Sequence, residues 1–239
     1  MERAELNGGG SSIELWLADR EHPGLDAELR RLIRDELEWQ PGLDPTGIEL
    51  DVRDCAVTLR GSVRSYSEKA AALEAAARVP RVCEVTDEIC VQLAATHARS
   101  DAALLEEVVN VLAWDAMVQA EHVHVSVRDG IVTLEGWVEW DHQREAAERA
   151  VRPLIGVRGI EDAITVRPKW TTGELQPAVM TALRRHRDLH TKRVTIESRN
   201  GVVRLRGRVP SLAERSAIEH AVWNVPGVTG VVDELAIDR

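Results

Sequence analysis

The chain has 239 residues, 44% apolar and 29% charged, enough for two or three compact domains. Forty acidic against 30 basic side chains give a formal charge of −10, which excludes the broad positive field that bulk binding of nucleic acid or anionic membrane needs. The three cysteines, Cys55, Cys83 and Cys90, are odd in number and form no C-x-x-C pair, so no disulfide framework is expected and a reducing compartment is the simpler assignment.

The first 24 residues form an extension, Gly-rich at Gly8 to Gly10 and apolar at Ile13, Leu15, Trp16 and Leu17, which is expected to dock on the rest or to stay mobile. It has no apolar run of signal-peptide length, and nothing in the chain approaches the roughly 18 apolar residues of a spanning helix. A cytoplasmic chain without a transmembrane segment is expected.

After the extension one pattern occurs three times. Leu29, Gly61 and Asp87 reappear as Leu104, Gly136 and Asp162, and again as Leu175, Gly207 and Asp233. The units are read as residues 25–93, 100–168 and 171–239, joined by the short linkers 94–99 and 167–171. A unit of about 70 residues buries only about 60% of its unfolded surface, so each copy is expected to lean on its neighbours.

Each unit opens with an amphipathic helix, carried by Leu29, Leu32, Ile33 and Leu37 in the first copy and by Leu104, Leu105, Val108, Val111 and Leu112 in the second. In the third, Pro177 is tolerable only in a first turn, which starts that helix near Leu175 or Gln176. Trp39 and Trp114 follow two residues after Leu37 and Leu112 and are read as lids on the core; Arg185 replaces them in the third copy.

Two strands come next. Ile48, Leu50 and Val52, then Val123, Val125 and Val127, then Val194 and Ile196 alternate with polar residues. Asp129-Gly130 and Asn200-Gly201 favour the positive φ of a tight hairpin turn, while Asp54-Cys55 is expected to need a different one. The second strand places Gly61, Gly136 and Gly207 on its apolar side, which predicts close approach of a helix or a bulge at each structural glycine.

A second helix starts at capping boxes Ser65/Glu68 and Ser211/Glu214, with Asp141 as the expected cap in the middle copy. It stops at Val79-Pro80, Ile155-Gly156 and Pro226-Gly227, before a last strand marked by Ile89 and Val91, Ile164 and Val166, Leu235 and Ile237. The prediction is an α+β fold: three tandem α-β-β-α-β two-layer sandwiches, each a three-stranded mixed sheet with two helices on one face and the other face open.

The middle copy reads Gly130-Ile131-Val132-Thr133-Leu134-Glu135-Gly136-Trp137-Val138-Glu139-Trp140, then Gly156-Val157; the third keeps Gly201-Val202-Val203, Leu205, Gly207, Val209 and Val225-Pro226-Gly227-Val228. This pattern resembles the BON domain family, named for bacterial osmotic-stress and nodulation proteins. The first copy departs most, with Cys55 at the turn glycine and Arg81 at the exit glycine. The resemblance implies non-enzymatic roles: association with phospholipid surfaces or envelope components, osmotic or general stress protection, and in some members sensing of small ligands or ions.

Arg204, Arg206 and Arg208 alternate along the outward side of a strand in the third copy and are the candidates for phospholipid head groups or another anion. The alternative is a face kept soluble by charge or paired with acids of the middle repeat. Trp137, on the matching face of the second copy, and Trp140 beside it are candidates for contact with a partner or a neighbouring repeat. His122 with His124, and His186 with His190, lack a third ligand, so no metal is expected.

The G-x-x-G pairs at Gly156/Gly159 and Gly227/Gly230 resemble an RNA clamp but join helix to strand, where a glycine is the usual helix stop; no nucleic-acid partner is expected. No G-x-S-x-G, H-E-x-x-H or P-loop occurs. The expectation is a non-catalytic, cofactor-free, stress-associated array that binds a phospholipid surface or a protein partner through its sheet faces. The alternatives are a small-ligand or ion sensor using a cleft between repeats, and a self-associating structural subunit.

Overall fold

The computed structural model describes residues 23–118, 120–167, 175–185 and 193–238. The expected docking or mobility of the N-terminal extension and the His186/His190 pair lie outside the described residues. The element order repeats as predicted. The first unit contains α1 (Pro23–Trp39), β1 (Ile48–Arg53), β2 (Ala56–Val63), α2 (Tyr66–Arg78) and β3 (Glu84–Val91). The second contains α3 (Asp101–Trp114), β4 (Val123–Arg128), β5 (Ile131–Val138), α4 (Asp141–Val151) and β6 (Gly159–Val166). The third contains α5 (Leu175–Arg185), β7 (Val194–Arg199), β8 (Val202–Val209), α6 (Leu212–Trp223) and β9 (Gly230–Ile237).

Each unit has its own three-stranded sheet with the hairpin's second strand at the centre, antiparallel to the first and parallel to the third. The parallel pair needs a crossover, and the second helix supplies it. Alternation then fills three separate cores. Val57, Leu59 and Val63 of β2 meet Leu29, Ile33 and Leu37 of α1 and Ala72, Ala75 and Ala76 of α2, with the same arrangement in the other copies. Alanines on the second helix let it lie close to the sheet.

The recurring aspartates gain a physical reason. Asp87, Asp162 and Asp233 each accept a hydrogen bond from the backbone N–H two residues on, at 3.0, 2.9 and 2.8 Å. Each also faces a cation of the second helix: Lys69 at 2.7 Å, Arg144 at 3.7 Å and Arg215 at 2.6 Å. One carboxylate thus fixes the last strand to the crossover helix in every copy.

The turns correct one expectation. Asp54-Cys55 makes the same hairpin turn as its counterparts, with φ of 50° and 66° against 53° and 78° at Asp129-Gly130 and 52° and 84° at Asn200-Gly201. The first helix helps impose it: Asp26 accepts from the N–H groups of Asp54 and Cys55 at 3.1 and 3.4 Å, as Asp101 does from Asp129 and Gly130 at 2.9 and 3.0 Å.

The strand glycines answer to backbone, not to a helix. A Cβ on Gly61, Gly136 or Gly207 would lie 2.1, 2.0 or 2.0 Å from the carbonyl oxygen of Gly47, His122 or Arg193, the residue entering the hairpin's first strand. All three also have positive φ, at 118°, 126° and 139°. At the second helices Ser65 and Ser211 accept from the N–H of Glu68 and Glu214 at 3.2 and 3.1 Å. In the middle copy Asp141 does not cap. Gln143 does so instead, its side-chain oxygen accepting from the N–H groups of Glu139 and Trp140 at 3.0 Å each, while Asp141 turns inward and is buried.

Candidate contact surfaces

The three units meet through their second helices. Ser67 on α2 donates to the carbonyl of Arg152 at the end of α4 at 3.0 Å, and the Arg152 guanidinium pairs with Glu74 of the first unit and, at 2.9 Å, with Glu148. Arg144 of α4 stacks over the Trp223 ring of α6, 5.2 Å from its centroid, and His220 of α6 lies 3.4 Å from Glu145. Tyr66 and Trp223 reach across to pack on the middle core, and Leu212 on the first. Because the helices occupy the seam, the sheets keep their outer faces clear of it.

Asp141 sits on this seam, 3% exposed. Its carboxyl is pushed above the ordinary range by burial, with Glu145 and Glu219 adding to the effect and Arg144 and His220 opposing it. The Arg144 Nη2 atom is 2.6 Å from its Oδ1, but without the alignment of a hydrogen bond.

On the open face of the third sheet, Arg204, Arg206 and Arg208 are exposed as their alternation requires. They do not form a bare cationic stripe. Arg206 Nε donates to Glu234 at 2.6 Å and approaches Glu197 at 3.8 Å, Arg204 lies 3.5 Å from Glu234, and Arg208 lies 3.8 Å from Asp238. These acids belong to the same repeat, not to the middle one. The hydrogen bond from Arg206 holds the Glu234 carboxyl below its usual range, and the same bond raises the guanidinium. Arg60 and Glu88 repeat this cross-strand pair at 2.6 Å in the first unit, whereas Glu135 and Ala163 stand there in the second.

Trp137 is half-buried on the open face of the middle sheet, and its ring partner is His122 of the same repeat, stacked with centroids 4.0 Å apart and planes 20° from parallel. Trp140 stacks on His142 at 6.1 Å. His124 remains exposed. Among the described residues no group of three or more His, Cys, Asp or Glu side chains is arranged to hold a metal ion, and no helix is long and apolar enough to cross a membrane. An open cavity of about 430 Å³ lies inside the first repeat, between Leu37 of α1 and Ile48 and Leu50 of β1, and not between repeats.

Among the described residues the two tryptophans read as lids are the least covered large apolar side chains. Trp39 is 85% exposed and Trp114 88%. The helix explains it: Leu37 and Leu112 are buried, and a residue two positions on lies roughly 200° round the axis. Val109 and Met117 of the same repeat as Trp114 are also exposed, at 48% and 52%. Helical angle alone therefore places both rings outward, away from the core.

Comparison with known proteins agrees with the repeat. The BON domain pattern matches residues 25–92, 100–168 and 171–239. The chain is similar to osmotically-inducible protein Y of Escherichia coli strain K12, 27% identical over 141 residues, which is 57% of this chain and 70% of that protein. It also aligns with the C-terminal domain of CdsD, a structural protein of the type III secretion system of Chlamydia trachomatis, over 89% of this chain and 98% of that one, with 13% identity and a TM-score of 0.25; at that score the alignment carries no argument. With three matches in series that span most of its length, the chain belongs to the BON domain family.

Proposed function

We propose that the chain is a non-catalytic, stress-associated protein that works by contact, seating on a phospholipid surface or on a protein partner. The observation that carries this reading is the matched exposure of Trp39 and Trp114 at the ends of two equivalent helices. An indole left in water at corresponding places in two copies is an unfavourable surface unless something covers it, and tryptophan suits an interface that is apolar on one side and wet on the other. Similarity to an osmotically inducible protein supports the link to stress. Contacts between the second helices hold the repeats, and with them both rings, in a fixed relation, which adds avidity.

Arg204, Arg206 and Arg208 enter the proposal in a lesser role. Their pairing with Glu234, Glu197 and Asp238 means that a lipid phosphate has to compete with carboxylates already in place. Flotation with phosphatidylglycerol and phosphatidylcholine vesicles over a salt series separates the contributions. Trp39→Ala with Trp114→Ala is expected to lower the bound fraction at every salt concentration, while serine at the three arginines lowers it only at low salt. An unchanged bound fraction after the tryptophan changes, or no flotation of the parent chain with either lipid, removes the membrane reading and leaves the protein partner.

A further inference from the structure

Cys55 occupies a position where the other two repeats have glycine. It holds φ of 66°, a left-handed conformation that is strained for a residue with a Cβ. Its backbone is pinned on both sides, the N–H by Asp26 at 3.4 Å and the carbonyl by the N–H of Cys83 at 3.0 Å. The second clasp is part of the fold: Arg158 donates to Gly130, and Thr229 to Gly201, each at 2.8 Å.

The sister repeats show where a β-carbon on this turn points. A Cβ added at Gly130 would lie 3.1 Å from Arg158 Cγ, and one at Gly201 would lie 2.6 Å from Thr229 Oγ1 and 3.0 Å from its Cγ2. Those are the γ atoms of the position that Cys83 fills in the first repeat. In a disulfide, with sulfurs about 2 Å apart, the β-carbon of one half lies about 3 Å from the sulfur of the other. The Cys83 sulfur is 3.6 Å from the Arg81 carbonyl, and the matching Gly156 carbonyl is 2.9 Å from the Cβ added at Gly130. Both side chains therefore converge on one carbonyl. Cys55 is buried and Cys83 half-exposed, and both are thiols in this structure.

We propose that Cys55 and Cys83 form a reversible dithiol–disulfide couple in the first repeat, oxidised by a small-molecule disulfide such as oxidised glutathione. The half-exposed Cys83 thiolate attacks one sulfur of the small disulfide; that S–S bond breaks, one small thiolate leaves and Cys83 carries a mixed disulfide. The Cys55 thiol then gives up its proton and attacks the Cys83 sulfur, forming the intramolecular bond and expelling the second small thiolate. Two protein thiols lose two electrons, the small disulfide gains them, and the two protons end on the released thiols. The bond closes a loop that contains β2 and α2, the helix that docks the first repeat on its neighbours.

The test uses the full chain with Cys90→Ser, because Cys90 is exposed and would link separate molecules. The protein is equilibrated over a series of oxidised to reduced glutathione ratios, alkylated and read by intact mass and peptide mapping. The expected product has lost two hydrogens, carries no glutathione, joins the Cys55 and Cys83 peptides, unfolds at a higher temperature and reverts with reductant. Adding Cys55→Gly, the residue used by both sister repeats, is expected to trap glutathione on Cys83. The proposal is overturned by a parent that retains glutathione on Cys83 with Cys55 still open to alkylation, by a cross-link that forms only in denaturant, or by identical products from parent and Cys55→Gly.

Discussion

Asp141 shows how much a single position owes to what surrounds it. By sequence it stands where a helix cap is wanted, yet Gln143 takes the two leading N–H groups and the carboxylate faces the seam with α6. Burial raises its proton affinity above the ordinary value of 3.8, so the unfolded chain ionises first. The stability it contributes is full below that ordinary value and is lost as pH rises through the higher value of the folded state. Asp141→Asn is expected to remove this loss: thermal unfolding from pH 3 to 7 should show the variant gaining on the parent as pH increases, and a constant difference would refute the assignment. Trp39 and Trp114 make the opposite case. They touch little, so alanine at either is expected to change stability by less than about 0.5 kcal/mol in urea unfolding. Their direction was legible from helical angle, whereas the fate of Asp141 depended on a neighbouring repeat that no local pattern contains.

At the scale of elements the sequence was most informative where a backbone conformation restricts the residue. Gly136 combines φ of 126° with a carbonyl 2.0 Å from any added Cβ, and Gly136→Ala is expected to cost about 3 kcal/mol by urea unfolding. Arg81 is the complementary case, an exposed residue at φ of 73° where the sister repeats have Gly156 and Gly227. Arg81→Gly should raise stability by roughly 0.5–1 kcal/mol, since the left-handed strain exceeds the added freedom of the unfolded chain. Strand alternation and the two serine caps likewise identified the elements. The Asp54-Cys55 turn did not, because residue preference argued against a conformation that Asp26 and the Cys83 N–H enforce from outside the turn. For the same reason the reach of the cross-strand glycines, to backbone and not to a helix, became visible only with the hairpin's register.

For the whole molecule, repetition announced three units but not how they join. The second helix carries small residues on the side that meets its own sheet, and Tyr66, Arg144, Leu212 and Trp223 on the sides that meet other repeats; a single helix pattern cannot distinguish an outward residue bound for solvent from one bound for a neighbour. The open sheet faces were readable from alternation, and their charge balance was not. The arginines of the third repeat were evident along β8, but Glu234 and Asp238 came opposite them only through parallel pairing with β9.

The central claim joins that architecture to its use: second helices lock the array, and the exposed ends of α1 and α3 make the contact. Hydrogen exchange of the full chain, followed by mass spectrometry with and without phosphatidylglycerol vesicles, addresses both halves at once. Slow exchange in α2, α4 and α6 under both conditions is predicted, with lipid-dependent protection appearing in the last turns that carry Trp39 and Trp114. Fast exchange along the second helices of the free chain, or lipid protection falling on them while those last turns stay unchanged, would contradict it.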